Sequence, residues 1–266
     1  MYNFNDKVVW ITGASSGIGE NMAYLFSKLG AKIILSARNE EKLNIIAGNC
    51  NNSKDHLVLK LDLENNQNLD PITSQVIERY GKIDMVVNCG GVSQHAISYE
   101  TLQEIERKII EVNFWGTVNL TKAILPYMFK NNSGRIIVIS SVHGKVGLST
   151  KSSYSASKHA LLGYFDSLRA DLIRNGHNGI KVMVVCPGYI KTNISINYLG
   201  GTGKNLGKMD KNHEDAMSPA KCAEKIVKAI YKNKNEVLVG GKETLAVHLK
   251  RFFPSFFLKN SHKFYP

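Results

Sequence analysis

Seven short apolar runs punctuate this chain, and most are separated by stretches with helical periodicity. They are Val8–Thr12, Lys32–Ser36, Leu57–Leu61, Ile83–Asn88, Arg135–Ser140, Lys181–Cys186 and Val237–Val239. Runs this short, rich in Val, Ile and Leu and without polar alternation, suit strands buried on both faces of a parallel sheet. Glu20–Leu29, Glu41–Asn49, Thr73–Tyr80, Leu102–Lys130 and Tyr154–Arg174 read as helices between them. In the last of these, Leu161, Tyr164, Phe165, Leu168 and Leu172 fall on one apolar stripe. The alternation predicts an α/β protein, a single doubly wound domain over residues 1–266 with a seven-stranded parallel sheet flanked by helices. At 266 residues, 43% hydrophobic and 21% charged, the chain can bury one large core.

Composition narrows the functional classes. Cys50, Cys89, Cys186 and Cys222 show no paired spacing, which argues against a metal site or a disulfide framework. The first apolar run begins at Val8, leaving no room for a signal peptide, and no apolar stretch is long enough to span a bilayer. A cytoplasmic location is expected, with peripheral contact at the endoplasmic reticulum membrane as an option. The net charge of +12 invites a nucleic-acid reading, but the Lys residues are dispersed among Asn and no recognised module appears. Compositional bias explains the charge better, and no nucleic-acid partner is expected.

Two segments break the strand–helix rhythm. Residues 195–215 are rich in Gly, Asn and Lys and read either as a lid over a substrate site or as a plain insertion. A helix restarts at Ser218-Pro219, an N-cap Ser followed by Pro at the first helical position. The tail, 245–266, interleaves Phe with Lys and Arg. It suits either an interfacial membrane segment or packing against the domain or a partner, and Pro254 breaks any continuous helix through it.

The first strand runs into Thr12-Gly13-Ala14-Ser15-Ser16-Gly17-Ile18-Gly19, which opens the first helix. Glycines let the backbone approach a pyrophosphate, and the helix N-terminus offers unpaired N–H groups, so a Rossmann-type nucleotide site is expected here. NAD-binding versions carry an acidic residue at the end of the second strand. Here that region reads Ser36-Ala37-Arg38-Asn39, and Arg38 can pair with a 2′-phosphate instead, so NADP(H) is expected. Glu40 and Glu41 belong to a helix N-terminus capped by Asn39. Asp62, followed by Leu63, ends the third strand and either bonds the adenine amine or starts the next turn. Asn88-Cys89-Gly90-Gly91 ends the fourth.

Tyr154 and Lys158 stand four residues apart on a helix, thirteen residues after Ser141. That spacing puts the ammonium beside the phenol. A free phenol has a pKa of about 10, roughly 4 kcal/mol from easy proton exchange at neutrality, and a cation narrows the gap. Asn113 lies inside the long helix Leu102–Lys130, where an Asn is slightly unfavourable. Pro187-Gly188 and Thr192 punctuate the turn after the sixth strand.

These motifs, in this order and spacing over roughly residues 5 to 240, resemble the short-chain dehydrogenase/reductase family, in particular its hydroxysteroid dehydrogenase-like branch. The resemblance implies that Tyr154 is the general acid at a carbonyl oxygen that Ser141 also hydrogen-bonds. It implies that Lys158 depresses the Tyr154 pKa and holds the nicotinamide ribose, and that Asn113 kinks its helix and holds a water. Ser15, Ser36 and Arg38 would meet the 2′-phosphate. Gly13, Ser16, Gly17, Ile18, Gly19, Asp62, Leu63, Asn88, Gly90, Pro187, Gly188 and Thr192 would complete the cofactor site. The usual Asn-Asn-Ala-Gly turn reads Asn88-Cys89-Gly90-Gly91 here, and an N-terminal hydrophobic segment of the membrane-anchored relatives is missing.

The expectation is an NADP-dependent carbonyl reductase or alcohol dehydrogenase acting on a lipophilic substrate (steroid, retinoid or lipid-derived carbonyl). It is expected as a homodimer or homotetramer, with helices Leu102–Lys130 and Tyr154–Arg174 at the interface. A promiscuous xenobiotic carbonyl reductase and a catalytically silent NADP-binding regulator are the alternatives.

Overall fold

The structure, a computed structural model, describes residues 3–65, 69–207 and 215–263. Seven strands form one sheet: β1 Val8–Thr12, β2 Lys32–Ala37, β3 Leu57–Lys60, β4 Met85–Asn88, β5 Gly134–Ile139, β6 Ile180–Pro187 and β7 Glu236–Val239. They lie in the order β3-β2-β1-β4-β5-β6-β7, every neighbouring pair parallel. All seven expected runs are strands, with ends shifted by one or two residues. The chain winds outward from β1 to β3 and then crosses back to β4 on the other side of β1. The carboxyl ends of β1 and β4 therefore flank a crevice at the point where the order reverses.

Successive strand residues point to opposite faces, and both faces are covered. Val9 and Ile11 join one core cluster, with Met22 and Phe26 of α1 (Gly17–Lys28), Leu43 of α2 (Glu40–Asn49) and Ile226 of α7 (Pro219–Tyr231). Val8 and Trp10 join the other, with Val76 of α3 (Asp70–Tyr80), Ile124 of α5 (Gly116–Asn131) and Phe165 of α6 (Ser152–Arg174). This two-sided burial is why the strands show no polar alternation. Inside the sheet the fully buried Trp10 indole N–H donates to Ser36 Oγ at 2.8 Å.

Local capping follows the sequence reading. Asn39 Oδ1 accepts from Lys42 N at 2.9 Å, and Ser218 Oγ accepts from Lys221 N at 3.3 Å with Pro219 opening the helix. One helix differs. The segment expected as a single helix, Leu102–Lys130, is α4 (Gln103–Ile110), a π turn over Glu111–Trp115, and α5. The wider turn sets Asn113 deep in the interior, where its side chain bonds neighbouring elements, instead of on a solvent face.

The expected lid falls partly outside the described residues, at 208–214. Its described part is pinned to the segment after β4: Leu199 N donates to Ser93 O, His95 N to Leu199 O and Leu102 N to Gly201 O, each at 2.9 Å. The tail forms α8 (Leu245–Phe252) and α9 (Pro254–Asn260), broken at Phe253, whose backbone (φ −132°, ψ 60°) leaves the helical region ahead of Pro254; residues 264–266 lie outside the described residues. Among the described residues no helix is long and apolar enough to cross a membrane.

Phe165 is wholly buried between α6 and the sheet. Its replacement by Ala is expected to destabilise the fold by about 3–5 kcal/mol, read as a lowered denaturation midpoint with an unchanged slope.

Candidate active site

A cavity of about 1060 Å³ opens at the carboxyl ends of the strands. Its cofactor half is built by two touching turns. Thr12 Oγ1, at the end of β1, accepts from both Cys89 N and Gly90 N at 3.0 Å, which ties the turn after β1 to the turn after β4. Gly13 has φ +64°, and a Cβ there would lie 2.8 Å from the Gly90 Cα, so a side chain would force the turns apart. Gly17, at φ +59°, meets Thr192 of the loop after β6, whose Cγ2 would be 2.9 Å from an added Cβ. Ser16 is the N-cap of α1, its side chain makes no capping bond, and Ser16, Gly17 and Ile18 at the start of the helix line the cavity. These features fit a pyrophosphate: bare backbone, unpaired donors and the positive end of a twelve-residue helix.

Gly13, Ser15, Ser16, Gly17, Ile18, Ser36, Arg38, Asp62, Leu63, Gly90, Pro187, Gly188 and Thr192 all line this cavity, with Ser141, Tyr154 and Lys158. Gly19, Asn88 and Asn113 stand behind its wall. Gly19 packs on Gly13, where a Cβ would come 2.4 Å from the carbonyl oxygen. Asn88 is buried; its Nδ2 donates to Thr121 Oγ1 at 3.1 Å. Asp62 forms its own turn, Oδ1 accepting from Glu64 N at 3.0 Å, while still lining the cavity. The Ser36 hydroxyl accepts from Trp10 and keeps its own hydrogen to donate, and the exposed Arg38 lines the same wall. Lys42, in the first turn of α2, joins Arg38 on this wall and was not anticipated.

The chemical half is held by α6. Lys158 Nζ donates to Ile139 O at 2.9 Å, tying the helix to the end of β5, and lies 5.8 Å from the Tyr154 ring centroid. Ser141 follows β5, and its Oγ accepts from His143 N at 3.1 Å. Asn113 acts as a clamp. Its Oδ1 accepts from Val92 N at 2.8 Å, and its Nδ2 donates to Val92 O and Ser157 Oγ, each at 2.9 Å. Both amide hydrogens are thus used within the protein. The side chain joins the turn after β4 to α6.

Burial pushes the Tyr154 phenol up to about 12, further than hydrogen bonding to Ser141 pulls it down. Burial takes Lys158 down to about 8. Burial is the largest influence on both groups, and the Lys158 ammonium donates to the Ile139 carbonyl. The phenol is a protonated donor throughout the neutral range.

Beyond Tyr154 the cavity turns apolar, with Leu148, Ile194, Leu199, Leu249, Phe252 and Phe253 in its walls. Lys151, three residues before Tyr154, is buried with its ammonium 3.2 Å from the Tyr198 ring centroid. Tyr198 falls in the segment 195–215 that was read as a lid or an insertion; Lys151 and the tail were not singled out as lining, because loops and distant segments carry no periodic signal.

The short chain dehydrogenase family model matches residues 7–199, and the chain belongs to that family of oxidoreductases. It is similar to dehydrogenase/reductase SDR family member 7B of Xenopus laevis, 38% identical over 259 residues, covering 94% of this chain and 79% of that protein. Among solved structures, a short-chain dehydrogenase from Streptomyces avermitilis superposes with TM-score 0.81 at 28% identity, over 96% of both chains. A short chain dehydrogenase/reductase from Burkholderia phymatum in complex with NAD shares the fold, with TM-score 0.84 at 21% identity over 97% of both chains.

The pKa directions give a signed expectation. For carbonyl reduction, kcat/KM should be level near neutrality and fall as pH rises through about 8, where Lys158 loses its charge. Tyr154, held up at about 12, should add no limb at neutral pH. A stopped-flow or steady-state pH profile checks both.

Proposed function

We propose that this chain is an NADP(H)-dependent oxidoreductase that interconverts a carbonyl and an alcohol on a lipophilic substrate of the steroid, retinoid or lipid-derived type. The observation that carries the reading is the convergence of Ser141, Tyr154 and Lys158 where the glycine-turn half of the cavity meets its apolar half. NADPH, when bound, supplies a hydride to the carbonyl carbon. The protein supplies the proton and the positioning. Tyr154 Oη donates its proton to the carbonyl oxygen, and Ser141 Oγ hydrogen-bonds the same oxygen as negative charge develops. Lys158 contributes a buried cation one turn away and holds α6 to β5 through Ile139. Asn113 keeps α6 in register with the turn after β4. The apolar walls keep water from the reacting carbon.

Arg38 and Lys42, at the end of the cavity past β2, support NADP(H) over NAD(H), since no carboxylate stands at the end of β2 to take a ribose hydroxyl. The Arg38→Asp variant is expected to raise the KM for NADPH roughly tenfold or more while leaving NADH turnover near its original level. Equal use of both cofactors by the unaltered protein would overturn the preference. The Tyr154→Phe variant should lower turnover by roughly 10²–10⁴-fold with NADPH affinity retained in a fluorescence titration. An unaltered protein that binds NADPH but turns over no carbonyl in a panel of steroids, retinals, quinones and aldehydes would be a silent regulator instead. The chain is further proposed to be a homo-oligomer through α4, α5 and α6. The half-exposed Trp115, at the turn between α4 and α5, supports that reading, and light scattering checks it.

A further inference from the structure

The C-terminal tail carries an apolar outer face that the core does not absorb. In α9, Phe257 is fully buried against Val142 and Val146, directly behind Ser141, whereas its neighbours Phe256 and Leu258 are 58% and 62% exposed. On α8 and the break after it, Leu245, Phe252 and Phe253 are 63%, 67% and 62% exposed. The inner side of the tail is anchored. Lys250 Nζ donates to Lys145 O at 3.0 Å, and Glu243 Oε1 accepts from Tyr189 N at 3.0 Å, ahead of α8. The exposed aromatic face is therefore presented by a docked element.

Two further observations say what would cover it. From Thr244 to Pro266 the sequence has no Asp or Glu, while Arg251, Lys259 and Lys263 punctuate the aromatic residues, in addition to the inward Lys250. A second copy of this chain would meet that charge with its own, whereas an anionic lipid surface complements both the cations and the rings. The face is also continuous with the site: Leu245, Phe252 and Phe253 line the cavity as well as the exterior. We propose that α8 and α9 lie on an anionic bilayer surface with the cavity mouth turned toward it, so that a lipophilic carbonyl enters from the lipid phase. This rests on the proposed reaction for the nature of the substrate, but the docking itself does not.

The test uses the full chain with phosphatidylcholine vesicles, with and without phosphatidylserine. Turnover is read on a long-chain aldehyde dissolved in the vesicles and on a small water-soluble aldehyde. The double variant Phe256→Glu/Leu258→Glu alters only side chains outside the cavity. The unaltered chain is expected to float with phosphatidylserine vesicles, less so as salt is raised. The variant should stay behind and lose roughly tenfold or more of its turnover of the vesicle-borne aldehyde, while its turnover of the soluble one is unchanged. Equal flotation of variant and unaltered chain, or no flotation of either, overturns the proposal. So does a drop in oligomer size caused by the variant, which would assign the face to a second copy. Should neither aldehyde be turned over, the reaction reading falls, and flotation still decides the docking.

Discussion

The site depends on a contact between two pieces of bare backbone. Thr12 Oγ1 holds the amides of Cys89 and Gly90, and the Cα atoms of Gly13 and Gly90 leave no space for a side chain between them. That contact closes the crevice between β1 and β4 on the cofactor side and leaves the N-terminus of α1 open to an anion. A hydroxyl and two missing methyl groups thus set how near a dinucleotide can come to the sheet. Thr192, resting against Gly17, brings the loop after β6 into the same contact.

The second constraint is the π turn at Glu111–Trp115. It puts one extra residue into a helical turn, and the residue that gains is Asn113. Its amide reaches Val92 on one side and Ser157 on the other, so the cofactor turn and the helix carrying Tyr154 and Lys158 cannot drift independently. Tyr154 is kept protonated by the dryness of this interior, and Lys158 is kept close to losing its proton by the same dryness. One environment thus pushes two groups in opposite directions, the arrangement needed for a donor and the cation beside it.

The strands were legible because both faces of each are covered, which makes the signal a plain apolar run; Val8, Val9, Trp10 and Ile11 divide between two cores and still read as one strand. The caps at Asn39 and Ser218 were legible because capping is a contact between residues three apart. The resemblance implied a kink at Asn113, but spacing alone showed an unbroken helix, since the partners of that residue at Val92 and Ser157 are far away in the sequence. The bond from Trp10 to the Ser36 hydroxyl across the sheet was not legible either, again because it is a long-range contact.

The sequence by itself determined the class of fold, the glycine turn, and Ser141, Tyr154 and Lys158 as the residues proposed for the chemistry. Those signals are local spacing and steric permission, properties of neighbours along the chain. Only the tertiary structure decided that Asn113 bridges Val92 and Ser157, that Tyr154 and Lys158 are both buried, and that a Phe-rich tail forms part of the cavity mouth. Each of those is set by desolvation and by contacts between segments that are distant in sequence, and exists only once the chain has closed on itself.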